Sequence, residues 1–305
     1  MSTTISTPQP EFDAIVIGGS YAGLSAALQL ARARRRVLVI DGGERRNRFA
    51  QHSHGFLSQD GSAAADIAAS GRAQLLAYPT VAWANENAVS ATNDGEHFTV
   101  AFADGGTVAG RKLVLASGVT DALPAIDGLA ERWGASVFHC PYCHGYELDE
   151  GEIGVIAVGP LSMHHALMLP DWGRVTLFLN DAFDPDPAQR AALAARGVTV
   201  ETARVARIDG VADVVLDDGR TFAMAGLFVA TRTSVTSPIA AQLGCAMEEG
   251  PMGLFVQTDM MKATTTDGVF CCGDMARAAG NVAFAVADGA MAGVAAHRAL
   301  IDGLG

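Results

Sequence analysis

Two cysteines separated by two residues stand in Phe138-His139-Cys140-Pro141-Tyr142-Cys143-His144-Gly145-Tyr146-Glu147. That spacing closes a small disulfide ring, and in such a motif at least one thiol usually has a lowered pKa. Thiol–disulfide exchange near neutral pH is therefore the chemistry these residues offer first. Other readings share the same stretch. Cys140 to His144 also spells the C-x-x-C-H attachment site of a c-type haem, which requires export. Met1 to Glu11 is polar and lacks the cationic start and apolar core of a signal peptide, so the expectation is a cytoplasmic protein. A zinc site needs further ligands, and Cys245, Cys271 and Cys272 form no second C-x-x-C. A purely structural disulfide is uncommon in an intracellular chain.

The chain has 305 residues, enough for about two domains; half are hydrophobic and 18% are charged, the composition of a globular protein with a large core. A net charge of -12 repels phosphate backbones and argues against nucleic-acid binding. No stretch is long and apolar enough to span a membrane as a helix. The basic cluster Arg32 to Arg36 closes a predicted helix, where cations complement the dipole.

Positioning elements follow from the apolar runs. Residues 13–17 read as a buried strand, Gly18-Gly19-Ser20-Tyr21-Ala22-Gly23 as a tight turn, and 24–33 as a helix. Strand, glycine turn and helix open a dinucleotide-binding βαβ unit, with Ser20 where a second glycine is expected. The next strand, 37–40, ends in Asp41, about 20 residues past the glycines, where a carboxylate can bond an adenosine ribose. Asp41 to Arg48 reads as a solvated loop. A helix is predicted over 63–76, extended pieces over 82–92 and 97–102, and a buried strand ends in Ala116-Ser117-Gly118, small residues that let a ligand approach the backbone.

A second βαβ pattern runs from a strand at 153–158 through a helix near 161–170 to a strand at 175–179. Its turn reads Ala157-Val158-Gly159-Pro160-Leu161-Ser162, with alanine for the first glycine. Beyond the second strand, residues 180–184 carry carboxylates and no arginine or lysine, where a 2′-phosphate of NADP wants a cation. His164 and His165, adjacent on that helix, point in different directions and read as polar-face or interface residues. Residues 231–238 read as a polar linker. The chain then rejoins the first domain through the strand of Val269-Phe270-Cys271-Cys272, in which the cysteines read as packing, then Gly273-Asp274 and a helix over 282–300.

Assembled, these pieces resemble the low-molecular-weight thioredoxin reductase family of flavoproteins along nearly the full length. The carrying residues are Gly18 to Gly23, Asp41, Ala116-Ser117-Gly118, Cys140 to Cys143 and Gly273-Asp274. The spelling Cys140 to Glu147 is most similar to the branch of FAD-dependent dithiol oxidases that close disulfides in gliotoxin- and holomycin-type natural products. The resemblance implies an α/β fold of two Rossmann-like three-layer nucleotide-binding domains. The first is discontinuous, 1–121 and 237–305, and holds FAD; the second, 122–236, carries Cys140 and Cys143. A homodimer is implied as well.

By the same resemblance, Gly18, Ser20, Tyr21, Ala22, Gly23 and Asp41 would hold the adenosine diphosphate half, Asp274 after Gly273 the ribitol, and Gly42 and Asn47 belong to the cofactor site as well. Val282 and Ala283 meet the flavin edge; His54, Val89, Ala116, Ser117 and Gly118 also line the cofactor. Where relatives carry an arginine-glutamine pair before the last helix, this chain has Asn281-Val282. Cys143 would face the flavin and Cys140 exchange with substrate thiols. His144 stands where the reductases carry an acid, and an imidazole of pKa near 6.5 exchanges protons with thiols at neutral pH; its alternative role is a helix cap.

The degenerate second turn then bears on electron flow. A reductase must refill its flavin from NADPH, whereas an oxidase needs only a small-molecule or peptide dithiol and an acceptor such as oxygen. The expected activity is dithiol oxidation. Two alternatives remain: a disulfide reductase fed by ferredoxin or another donor, and a flavin-bound redox sensor.

Overall fold

The computed structural model describes residues 11–301; residues 1–10 and 302–305, and with them most of the polar N-terminal stretch, lie outside. Two compact units divide the chain, the first made of 1–46, 66–120 and 234–305 and the second of 47–65 and 121–233. The sequence reading placed the 47–65 segment in the first domain. Its antiparallel pairing of His52–Ser53 with Ser62–Ala63 instead closes it into a small loop within the second unit.

Unbroken runs of branched apolar residues make strands buried on both faces. In the first unit these are β1 (Phe12–Ile17) and β2 (Val37–Ile40), joined by α1 (Tyr21–Arg32). There follow α2 (Ala64–Leu76), β3 (Val81–Ala84), β4 (Ala88–Asn93), β5 (Phe98–Phe102) and β6 (Thr107–Leu115).

The second unit contributes β7 (Val137–Phe138), α3 (Pro141–His144), β8 (Glu152–Ile156), α4 (Ser162–Met168) and β9 (Arg174–Phe178). It continues with α5 (Pro187–Ala195), β10 (Thr199–Glu201) and β11 (Gly226–Val229). The chain returns to the first unit with β12 (Val269–Cys271) and α6 (Val282–Arg298).

The first unit's seven-stranded sheet runs β3-β2-β1-β6-β5-β4. Its strand β6 forks: the early half pairs antiparallel with β5, and Leu113 to Leu115 pair parallel with β12. The second unit's sheet is parallel throughout, in the order β7-β11-β8-β9-β10. Helix α5 begins with a capping box, in which Asp186 accepts from the Gln189 amide and the Gln189 side chain accepts from the Asp186 amide, with Pro187 at the first helical position. Arg232–Val235, read from sequence as linker, is a strand. Its exposure alternates along Arg-Thr-Ser-Val, and Thr and Val favour that pleated geometry.

Helix α6 lies on α1 through two small residues. A Cβ on Gly289 would overlap the Ala22 carbonyl, and one on Gly293 that of Ala26. The helices therefore meet backbone to backbone, over a core of Ala26, Ala27, Leu30, Ala292 and Ala296, all fully buried. This contact fixes the start of α1, and with it the glycine turn. Gly293→Val should push the helices apart and cost on the order of 1–3 kcal/mol in denaturant unfolding. Wild-type stability in that variant would contradict the close approach.

Candidate active site

The first βα turn is built for close approach of a ligand to backbone. Gly18 has φ +106°, and a Cβ there would overlap the Ala116 carbonyl; one on Gly23 would overlap the carbonyl of Gly18. Ser20 caps α1 without using its side chain. Asp41, at the end of β2, accepts from the amides of Gly19 and Gly43 through Oδ1, each at 3.2 Å. Tyr21 and Ala22 are buried in α1. Beside them the chain after β6 supplies Ala116, Ser117, whose Oγ lies 3.4 Å from Met275 Sδ, and Gly118 at φ +73°. The C-terminal ends of β1, β2, β6 and β12 thus converge, the place where open α/β sheets bind dinucleotides.

Gly273 also needs its glycine freedom, with φ +74° and Ala22 within overlap of any Cβ, and Asp274 follows it. The Asp274 carboxylate accepts from Arg46 Nη1 at 2.7 Å, both side chains being about one-fifth exposed. Arg46 lies in the stretch read from sequence as a solvated loop, 228 residues from its partner. Helix α6 is capped by Asn281, whose side chain accepts from the Phe284 amide at 2.8 Å. Val282 and Ala283 occupy the first two helical positions, where amides have no acceptor within the helix. Asn87 crowds Gly42, and two residues on the carbonyl of Val89 receives Gln242 Nε2 at 3.5 Å. Asn47, named with the cofactor residues from sequence, falls in the second unit.

In the second unit, β7 delivers Cys140, and Pro141 starts the four-residue helix α3. Cys140 and Cys143 form a disulfide. His144 stacks on Phe138 with ring centroids 4.3 Å apart and planes 17° from parallel. Burial, and then the neighbouring His54, push its pKa down to about 4. This corrects the value near 6.5 read from sequence: the ring is neutral at pH 7. It gains affinity for a proton only when a cysteine beside it becomes thiolate, because an opposite charge favours imidazolium.

Around the disulfide, Tyr142 is exposed and meets Trp172 edge-on at 5.3 Å, and Tyr146 is exposed too. His139 stacks on Trp133 at 5.8 Å. His54, expected along the cofactor, has Nδ1 3.3 Å from Glu147 Oε1 and 3.8 Å from Asp60 Oδ1, within the unit that carries the disulfide.

The second βα turn, besides its alanine for the first glycine, makes a bond the first does not. Fully buried Ser162 accepts the Val158 amide through Oγ at 3.0 Å, so the turn satisfies its own donor. Cations do reach the edge beyond β9, contrary to the reading of residues 180–184 alone, but each is matched by acids. Arg190 pairs with Asp184, and Arg204 lies 3.6 Å from Asp181 and 3.9 Å from Asp217. Arg220 grips Glu201 at 2.6 and 3.0 Å and holds that carboxyl below its usual range. On α4, His164 is exposed and His165 is buried, a partial correction of the polar-face reading. Cys271 and Cys272 are fully buried as expected, and burial raises both thiols, Cys272 to about 12.

The pyridine nucleotide-disulphide oxidoreductase family pattern matches residues 12–292, through both turns and the cysteine pair. The chain belongs to that family. It is an oxidoreductase of thioredoxin reductase type, acting on sulfur groups. Thioredoxin reductase tcpT of Claviceps purpurea (strain 20.1) is 33% identical to it over 311 residues, covering 96% of this chain and 95% of that one. Thioredoxin reductase sirT of Leptosphaeria maculans is 32% identical, covering 92% of each. Among solved structures, an oxidoreductase from Agrobacterium tumefaciens is 59% identical with a TM-score of 0.92, over 94% of this chain and 97% of that one. HlmI is 35% identical with a TM-score of 0.90, over 95% and 92%.

His144 and His165 both have pKa values depressed to about 4 in the fold. Between an ordinary value of about 6.5 and about 4, the unfolded chain binds protons that the folded one refuses, so stability falls as pH drops through that window. His144→Phe keeps a ring on Phe138 and removes one titrating group. It should lose less stability between pH 7 and pH 5 than wild type does in denaturant melts, and it should slow thiol exchange on the order of 10²-fold for want of a proton acceptor. An unchanged exchange rate would reduce His144 to a packing residue.

Proposed function

We propose that this protein is an FAD-dependent dithiol oxidase that closes a disulfide in a small-molecule or peptide dithiol, with oxygen as the final acceptor. The observation that carries this reading is the self-satisfied second turn, where Ser162 occupies the Val158 amide while the first turn keeps its glycines and its Asp41. A donor site for NADPH is thereby disfavoured, and the electrons are left to come from the thiol side. The spelling of residues 140–147 and the likeness to HlmI and to the sirT and tcpT proteins support the same choice.

Residues that would hold FAD are Gly18, Gly23 and Asp41 for the adenosine diphosphate half, Asp274 with Arg46 for the ribitol, and the Val282 and Ala283 amides for the ring edge. FAD, when bound, would supply a two-electron acceptor for the cysteine pair, with oxygen as the proposed final acceptor. The chain's own part is exchange. One substrate thiolate attacks Cys140 Sγ, the Cys140–Cys143 bond breaks, and Cys143 leaves as thiolate beside His144. The second substrate thiolate then attacks the substrate sulfur of the mixed disulfide. Product disulfide departs and Cys140 and Cys143 remain as dithiol. Exposed Tyr142 and Tyr146 offer ring faces to a flat substrate next to these sulfurs.

Oxygen uptake with a series of dithiols tests the reading. Uptake should be matched by peroxide, one molecule for each substrate disulfide closed. Cys140→Ser and Cys143→Ser should each abolish turnover yet retain yellow flavin, because the residues proposed to hold FAD lie outside the cysteine motif. No uptake with any dithiol, or turnover without either cysteine, would contradict it.

A further inference from the structure

Asp288 on α6 takes no part in the chemistry above, yet it is a carboxylate only 4% exposed. A buried charge of that kind is tolerated where opposite charges meet it. Lys262 Nζ lies 3.0 Å from Oδ1, and Arg277 Nε lies 3.6 Å from Oδ2. Oδ2 has no hydrogen-bond partner among the described residues, so the charge of Arg277 is what meets that oxygen. Lys262 stands at φ +69°, a left-handed position that glycine or asparagine adopts at less cost. A lysine there is explained by its ammonium and not by its turn.

Arg277 also lies over the ring of Phe284, with Cζ 4.5 Å from the centroid, so its side chain spans residues four apart on α6. From Arg277 the chain runs through 278–280 into the helix cap. A Cβ on Gly280 would overlap Oδ1 of Asp274, so this strap lies directly on the carboxylate assigned above to the ribitol. At its end Asn281 caps α6, just before the amides of Val282 and Ala283. We propose that Asp288, with Lys262 and Arg277, is a positioning cluster for the cofactor site: it pins the strap 277–281 to α6 and so holds Asp274 and the start of the helix in register with each other. The inference deepens the FAD reading above and rests on it.

The test compares Arg277→Met, which keeps the aliphatic reach and removes the charge, with Arg277→Lys, which returns a charge near the place of the guanidinium. Flavin release from the full-length holoprotein is followed by flavin fluorescence after dilution, and ADP binding to the flavin-stripped full chain by calorimetry. ADP is the control because Gly18, Gly23 and Asp41, proposed for that half of the cofactor, lie outside the strap. Arg277→Met should release FAD about tenfold faster, the cost of ordering on binding a segment that the fold no longer pre-orders, with ADP affinity unchanged. Arg277→Lys should recover most of the difference. Wild-type FAD release in Arg277→Met would overturn the proposal, and so would an Arg277→Lys as fast as Arg277→Met. An equal loss of FAD and ADP affinity would overturn it too, since that marks a general loosening of the fold. Should Arg277→Met not fold, Arg277→Gln replaces it under the same criteria. A wild-type full chain that takes up no FAD would instead sink the cofactor reading itself.

Discussion

A backbone amide has a single proton to give, and the amide of Val158 gives it to Ser162 Oγ. That bond separates two turns that the fold otherwise builds alike. Before α1, Gly18 and Gly23 allow contacts that any Cβ would block, and Ser20 leaves its side chain out of the cap. Before α4, alanine and valine precede the only glycine, and the serine side chain closes the turn on itself. A phosphate arriving there would have to displace a buried hydroxyl from its donor, at a cost comparable to leaving a buried polar group unpaired. The edge beyond β9 adds to this, since its arginines already face Asp184, Asp181 and Glu201.

The cysteine pair has a different kind of surroundings. Phe138 stacks on His144 and meets Phe228, which in turn meets His165, while Tyr142 and Tyr146 are exposed. Inside, low polarity keeps both imidazoles neutral. Thiolate formed beside a neutral imidazole has a proton acceptor of matching need, so the same burial that weakens His144 as a free base makes it responsive to the sulfur next to it.

Much of this was legible before any coordinates. Apolar runs at 13–17 and 37–40, with glycines between them and Asp41 after, could fold only as a strand, turn, helix and strand, and the spacing of Cys140 and Cys143 already named the chemistry. What escaped the sequence was set by distance along the chain or by packing. The Arg46 pairing joins residues 228 apart, so a loop rich in arginine looked merely solvated. The depressed pKa of His144 comes from burial and then from His54, ninety residues away along the chain, and the burial of His165 from the way α4 lies on β11. Residues 180–184 gave the acids of the second nucleotide edge correctly, but Arg190, Arg204 and Arg220 reach that edge from other elements.

The claim that electrons enter through sulfur and not through a nicotinamide is tested most directly by mixing the oxidised holoenzyme, without oxygen, with NADPH or with a dithiol and following the yellow absorption of the flavin. The account predicts that colour persists with NADPH and bleaches with the dithiol. Rapid bleaching by NADPH would contradict it.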